Sequence, residues 1–223
     1  MTRPSLSAVL LCNGEPPSER FLRRLIRCAD LFVCADGGAN AARAMGLKPD
    51  IIVGDLDSIT PRTLKTFAHS LVIRVERQDN TDMEKALDFC LHQGVKRVTV
   101  TGITGGRMDM TLGNLIALWK YIARIDIMLA GTGWVGFPVM GAAQFRAPRG
   151  SIVSILPFGT LRGVTLQGLR YPLRNATIKA GDIAVSNTSV RARFFVRFGS
   201  GKALVIILDE EAQRLRSPFR RSR

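Results

Sequence analysis

Ile51-Ile52-Val53-Gly54-Asp55-Leu56-Asp57-Ser58 sets three β-branched apolar residues ahead of a glycine and two carboxylates. A short apolar run stopped by glycine predicts a strand buried on both faces of a parallel sheet. Side chains at i and i+2 of an extended chain share one side, so Asp55 and Asp57 are expected to converge beyond the strand's carboxyl end. That end of an open α/β sheet is where ligands bind. Two like charges this close repel unless a cation lies between them, and hard oxygen donors beside phosphate suit magnesium. An Asp-x-Asp alone is also met as a solvated acidic turn, so the flanking stretches decide its meaning.

Upstream, Leu31 to Ala35 reads as a second strand that runs into Asp36-Gly37-Gly38-Ala39-Asn40 and a small-residue helix closed by Gly46. Two glycines at a strand-to-helix turn permit a close backbone approach, and Asp36 is expected at the same sheet end as Asp55. Before that, Ser7 to Cys12 reads as the first strand. Ser18 then caps a helix whose apolar face is Phe21, Leu22, Leu25 and Ile26, with Arg20, Arg23, Arg24 and Arg27 mostly turned to solvent.

Downstream, Thr60-Pro61 opens a helix and Leu71 to Val75 gives a further strand. Gln78-Asp79-Asn80-Thr81-Asp82 follows, in which Thr81 and Glu84 make a capping box for a helix buried along Met83, Ala86, Leu87, Cys90 and Leu91. A carboxylate in a first helical turn is favoured by the dipole alone, yet Asp79 together with Asp82 is more acid than a cap needs. Arg97 to Thr101 is the next strand. It feeds Gly102-Ile103-Thr104-Gly105-Gly106-Arg107-Met108-Asp109 and then a long helix defined by Leu112, Leu115, Ile116, Trp119 and Ile122. A glycine-rich turn at a helix amino terminus offers unpaired N–H groups to an anion, and the Arg107 fork suits phosphate. The spacing is neither that of a P-loop nor of a dinucleotide-binding turn.

The chain has 223 residues, 46% of them hydrophobic and 22% charged, which is ordinary for a folded protein. Cys12, Cys28, Cys34 and Cys90 lack framework spacing and predict reduced, buried thiols in a cytoplasmic protein. With only His69 and His92 available, zinc is a poor candidate. The uncharged segment from Ile127 to Ala143 is broken by Gly131, Gly133, Gly136, Pro138 and Gly141, so it reads as strands and turns and no membrane span is expected. Of the net charge of +14, about +11 falls in residues 144–223. Such asymmetry fits a nucleic-acid surface, an anionic small molecule or no local purpose. The tail Arg214 to Arg223 is expected to be a frayed basic end.

Short apolar runs at Ser151 to Leu156, Val164 to Leu169, Ile183 to Val185, Phe194 to Val196 and Ala203 to Leu208 recur between turns in the last third. That predicts an antiparallel sandwich. The expected organisation is a three-layer α/β domain with a mostly parallel sheet over residues 1–135, followed by an antiparallel β-sandwich over 136–223.

Taken together, Asp36-Gly37-Gly38-Ala39-Asn40, Gly54-Asp55-Leu56-Asp57-Ser58, Asp79-Asn80-Thr81-Asp82 with Glu84, and Gly105-Gly106-Arg107-Met108-Asp109 with Leu112 and Asn114 resemble the thiamine pyrophosphokinase family in order and spacing. In the second domain the likeness is confined to Val185-Ser186-Asn187-Thr188. The resemblance implies a homodimer that transfers a pyrophosphoryl group from ATP to the hydroxyethyl group of thiamine, releasing AMP, in a first, nucleotide-binding catalytic domain and a second, thiamine-binding and dimerising one. It implies that Asp55, Asp57 and Asp82 hold magnesium, with Asp79 beside them. It assigns Asp36, Gly37, Asn40, Thr81, Gly105, Gly106 and Arg107 to the nucleotide, and Gln78 and Asp109 to thiamine, with Ser186 and Asn187 reaching it from the partner subunit.

Two positions depart from the family pattern. Met110 follows Asp109 where a His or polar residue is common, and Gln78 precedes Asp79 where many bacterial members have Lys.

The chemistry agrees with the residues, since an alcohol attacking phosphorus needs charge neutralisation and positioning more than a covalent intermediate. Asp79 is the first candidate to accept the hydroxyl proton. Two other readings share the acids. One is a metal-dependent nuclease or phosphodiesterase with a basic nucleic-acid platform, for which Trp134, Phe194, Phe195 and Phe198 are few stacking residues. The other is a non-catalytic sensor of thiamine or nucleotide.

Overall fold

Short β-branched runs flanked by glycine and polar turns become parallel strands here because helices pack on the sheet and bury its central strands. The computed structural model describes residues 5–77, 79–182, 184–208 and 219–221. The chain divides into two compact units, Met1–Thr132 and Gly133–Arg223.

In the first unit, β1 (Ser7–Leu11), β2 (Leu31–Ala35), β3 (Ile51–Gly54), β4 (Leu71–Arg74), β5 (Arg97–Thr101) and β6 (Asp126–Gly131) lie in the order β6-β5-β1-β2-β3-β4. Every pairing among them is parallel. The chain runs outward from β1 to β4 and then returns to the far side of β1, so the switch point falls between β1 and β5. Helices α1 (Glu19–Arg27), α2 (Gly38–Ala44) and α3 (Pro61–Thr66) follow β1, β2 and β3. Their apolar faces close a core of Val9, Leu11, Leu22, Phe32, Cys34, Ala42, Ile52 and Phe67 on one side of the sheet. Helix α4 (Asp82–His92) packs against β2 and β3, burying Met83, Ala86, Leu87 and Cys90.

Local signals act where they stand. Ser18 Oγ accepts from the Phe21 N–H, Thr60 Oγ1 from the Thr63 N–H, and Thr81 with Glu84 forms the reciprocal capping box. The helix after β5 is shorter than its apolar spacing predicts: α5 ends at Ala117, having begun at Met108, and a 3-10 turn, Leu118–Lys120, follows. Leu112 and Ile116, two of the apolar residues that define this helix in the sequence, are exposed together with Met108. Among the cysteines, Cys12, Cys34 and Cys90 are buried free thiols, whereas Cys28 is exposed.

The second unit holds two antiparallel sheets. One contains β12 (Asn187–Thr188), β9 (Ile152–Pro157), β14 (Ala203–Leu208) and β7 (Trp134–Val139), in that order. The other runs β11 (Leu173–Ile178), β10 (Leu161–Gln167), β13 (Arg193–Arg197), β8 (Ala142–Arg146) and β15 (Phe219–Arg221). Phe137 of the first sheet meets Phe145 of the second with ring centroids 5.3 Å apart, and Phe145 stacks on Phe194 at 5.0 Å. These rings join the two inner faces of the sandwich. Two expectations change. Ala184 and Val185 form no strand and Ile183 lies outside the described residues, while Phe219–Arg221 of the basic tail pairs with β8.

Candidate functional site

The carboxyl ends of β1, β2, β3 and β5 open on one edge of the sheet, and each turn leaving that edge is built by close backbone approach. A Cβ on Gly38 would stand 2.2 Å from the Leu11 carbonyl oxygen, and one on Gly14 2.3 Å from that of Thr104. A Cβ on Gly102, at φ +64°, would stand 2.5 Å from the Cys12 carbonyl oxygen. Gly37 is crowded in the same way by the Asn13 side chain. The glycines of Asp36-Gly37-Gly38 thus bring the turn against the end of β1.

Asp36 follows β2 with φ +38° and is fully buried. Its N–H donates to the Val53 carbonyl at 2.9 Å, and its Oδ2 accepts from the Ser58 N–H at 3.0 Å. Its Oδ1 is buried without a hydrogen-bond partner among the described residues. Burial pushes this carboxyl up to about 6, the Ser58 bond works against that, and Asp82, Asp57 and Asp55 add to the rise. Four carboxylates from three turns therefore feel one another at a single pole.

Asp55 and Asp57 converge, but not as an extended chain would bring them. β3 stops at Gly54, and Leu56 takes φ +69°, packing its side chain against the core. The left-handed residue curls the loop so that the Asp57 N–H faces Asp55 Oδ1 at 3.4 Å, and Ser58 Oγ donates to Asp57 Oδ1 at 2.9 Å. Asn40 holds the loop from below, its Nδ2 donating to the Ser58 carbonyl at 2.9 Å and its Oδ1 accepting from the Thr60 N–H at 3.1 Å. Oxygens of Asp36, Asp55 and Asp57 lie within 4.8 Å of one another. An all-carboxylate set containing an orphaned buried oxygen suits a hard divalent ion such as magnesium.

Asp82 is tied to this pole through a residue that the sequence reading passed over. The Lys85 ammonium donates to Asp55 Oδ2 at 2.8 Å and to Asp82 Oδ1 at 2.9 Å, with its side chain only 2% exposed. Burial opposes the Lys85 charge, but the bonds to Asp55 and Asp82 outweigh it and hold the group above its ordinary value. The same bond holds Asp55 below the usual carboxylate range. One signal was available: Lys85 stands three residues after Asp82, on the same helical face, between the apolar Met83 and Ala86.

The remaining expected residues divide. Thr81 supplies the helix cap with its side-chain oxygen. Asp79 is exposed and gripped by both arms of Arg77, at 3.0 and 3.1 Å, which holds its carboxyl low. Arg107 and Asp109 form a second exposed fork of the same kind. Gly105 and Gly106 take φ of +89° and +65° ahead of it. Gln78 lies outside the described residues. In the second unit, Ser186 is exposed at φ +59°. Asn187 is buried and holds the Tyr171 backbone from both amide atoms, at 2.9 and 3.0 Å.

The Asp36 carboxyl sets a pH dependence. Its pKa is about 6 when folded against 3.8 when free, so the folded state favours the protonated form. Stability from this source is complete below about pH 3.8 and is lost as pH rises through about 6, at most about 3 kcal/mol. Asp36→Asn is therefore expected to raise the melting temperature of metal-free protein at pH 7.5 and to leave it almost unchanged at pH 4. Thermal melts at the two pH values check it.

Comparison with known proteins places names on both units. The family model "Thiamin pyrophosphokinase, catalytic domain" matches residues 22–129, and "Thiamin pyrophosphokinase, vitamin B1 binding domain" matches residues 144–203. A thiamine pyrophosphokinase of Bacillus subtilis is 29% identical over 79% of this chain and 86% of its own length. Thiamine pyrophosphokinase 1 of rice is 28% identical over 89% and 85%. Among solved structures, the thiamine pyrophosphokinase of Bacillus subtilis aligns with a TM-score of 0.80 at 25% identity, covering 92% of this chain and 99% of that one. That of Geobacillus thermodenitrificans gives 0.80 at 26%, covering 92% and 98%.

Proposed function

This chain belongs to the thiamine pyrophosphokinase family, and from that premise we propose that it transfers the terminal pyrophosphoryl group of ATP to the hydroxyethyl oxygen of thiamine. The new bond joins that oxygen to the β-phosphorus as the hydroxyl proton is given up to a base or to solvent, the bond from the β-phosphorus to the α,β-bridging oxygen breaks, and AMP leaves with that oxygen. The observation that carries the reading is the pole of four carboxylates at the sheet edge within the unit matched as catalytic. The nuclease and sensor readings draw no support from the relatives matched.

The residues fit magnesium, with Asp36, Asp55 and Asp57 as its holders and Asp82 joined to them through Lys85. A divalent ion there neutralises phosphate charge and orients the chain of phosphates. Asp36 joins this set from the geometry, and Asp82, expected as a ligand, shares the Lys85 ammonium with Asp55. The Arg107 fork, now closed on Asp109, suits a phosphate oxygen, and opening it frees the Asp109 carboxylate toward thiamine. For the hydroxyl proton Asp79 is available only once Arg77 lets go, because a carboxylate held low is a weak acceptor. An unchanged turnover number in Asp79→Asn removes it from that role.

A homodimer in the cytoplasm completes the proposal. Met108, Leu112 and Ile116 recur every four residues on α5 and are 69%, 54% and 62% exposed, an apolar stripe that a second copy would cover. From the partner subunit, Ser186 has the accessible side chain for a thiamine contact, whereas Asn187 is engaged with Tyr171. Changing both Leu112 and Ile116 to Asp is expected to yield a monomer by sedimentation velocity and to lower activity at least about tenfold.

The activity is tested by incubating the purified protein with thiamine, ATP and magnesium. AMP and thiamine diphosphate formed one to one, and only with all three present, is the expected result. Release of ADP, or AMP formed without thiamine, contradicts the proposal.

A further inference from the structure

We propose that the outer face of the sheet containing β10, β13 and β8 binds single-stranded RNA, with Phe195 as the platform on which a base stacks and Arg146, Arg193 and Arg197 as the groups that meet its phosphates. The surface lies wholly within the second unit, and the inference is independent of the kinase reading.

Alternation along the strands decides which residues look out. β13 buries Phe194 and Val196, so Arg193, Phe195 and Arg197 share its outer side. Register then sets their neighbours. Gln167 of β10 and Gln144 of β8 flank Phe195, and Arg146 lies directly opposite Arg193. The two arginines of β13 stand about 7 Å to either side of the ring along the strand.

Charge on this sheet points to an anion. The charged residues of β8, β10, β11 and β13 are all arginine and all exposed, and none of them has an ion pair among the described residues. A face kept only for solubility would intersperse acids with the bases. Here Arg193 and Arg146 repel each other across the strands, and an anion between the two guanidinium groups turns that repulsion into attraction.

The uncharged residues select among anions. Phe195 is partly exposed in the middle of the basic rows, and every base has a π-face for such a ring. A duplex keeps its bases stacked on one another and has none free for Phe195. The glutamine amides on either side both donate and accept, which matches the ribose 2′-hydroxyl and separates RNA from DNA. An anionic bilayer would call for large apolar groups standing out from the face, and a second copy related by a twofold axis would set arginine against arginine.

Anisotropy of a fluorescein-labelled oligouridylate of about twelve nucleotides, titrated with the full chain, tests this. Binding is expected at about 50 mM KCl, weakening about twentyfold by about 200 mM as three arginines give up phosphate contacts. The double change Arg193→Gln and Arg197→Gln is expected to weaken binding at least tenfold at about 50 mM and to shrink the salt effect to about threefold. Phe195→Val should weaken it at least fivefold and leave the salt effect as it is. Oligothymidylate of the same length, and the RNA annealed to its complement, should each bind at least threefold more weakly, and phosphatidylserine vesicles should not sediment the protein.

No binding of oligouridylate at about 50 mM KCl, a smaller loss in the arginine variant or in a folded Phe195→Val, or a smaller preference over DNA or duplex overturns the inference. Sedimentation with the vesicles overturns it in favour of a membrane. Both arginines are exposed, so their variant decides even if Phe195→Val does not fold. Thiamine-dependent AMP formation is scored separately: a protein that makes AMP but ignores oligouridylate refutes only this surface.

Discussion

Asp57→Asn is expected to lower turnover at least about a hundredfold while shifting the melting temperature by no more than about 2 °C. The two halves of this result come from different features of the residue. Asp57 is exposed, and its one side-chain partner among the described residues is the Ser58 hydroxyl, so the fold loses little when its charge goes. The same change removes a charged oxygen from the three that lie within 4.8 Å of one another. Asp55→Asn would be a poorer probe, because it strips the buried Lys85 ammonium of a partner and is expected to destabilise by about 3 kcal/mol or more. Steady-state rates measured with a melting curve on the same preparation check it. Full turnover in Asp57→Asn would remove this residue from the metal set.

Gly54→Ala is expected to cost about 3 kcal/mol of stability and, with it, most of the activity. The added Cβ would stand 2.6 Å from the Asp36 Cβ and 3.2 Å from its Cα and Cγ. Asp36 cannot step aside, since its N–H is bonded to Val53, its Oδ2 to the Ser58 N–H, and its backbone is already left-handed. Either β3 separates from β2 at its carboxyl end or the buried carboxylate turns out of the pole. Urea denaturation measures the loss. Gly113→Ala supplies the contrast: that glycine lies within α5 with nothing inside 4 Å of its missing Cβ, so alanine is expected to stabilise by about 0.5–1 kcal/mol.

Strands β2 and β3 were legible because each is a short apolar run stopped by Asp36 or Gly54, and in a parallel sheet those stops must fall on one edge. The capping residues Ser18, Thr60 and Thr81 were legible for an equally local reason. Less was readable where conformation depends on distant partners. Asp55 and Asp57 meet through the left-handed Leu56, a conformation that nothing in the residue's own preference announces and that its packing on the core imposes. Asn40 reads as a ligand contact beside two glycines, yet it anchors the loop that carries Asp57. Lys85 in a helix reads as solvated, and only the fold brings Asp55 above it.

In the second unit, alternation was hidden by composition. β7 contains Gly136 and Pro138, and β11 carries Arg174, Asn175 and Thr177, so neither displays the apolar run by which β9, β13 and β14 announce themselves. The apolar spacing along α5 was visible, but its direction was not. Leu112 and Ile116 face away from the described core, and a periodic stripe does not say whether its own chain or a second copy will cover it.

The most direct measurement is an anomalous difference map from crystals of the protein soaked in Mn2+ with α,β-methylene-ATP. The account predicts a strong peak bounded by carboxylate oxygens of Asp36, Asp55 and Asp57, with the phosphates against that edge of the sheet. Manganese and phosphates found elsewhere on the molecule, with the four acids empty, would contradict it.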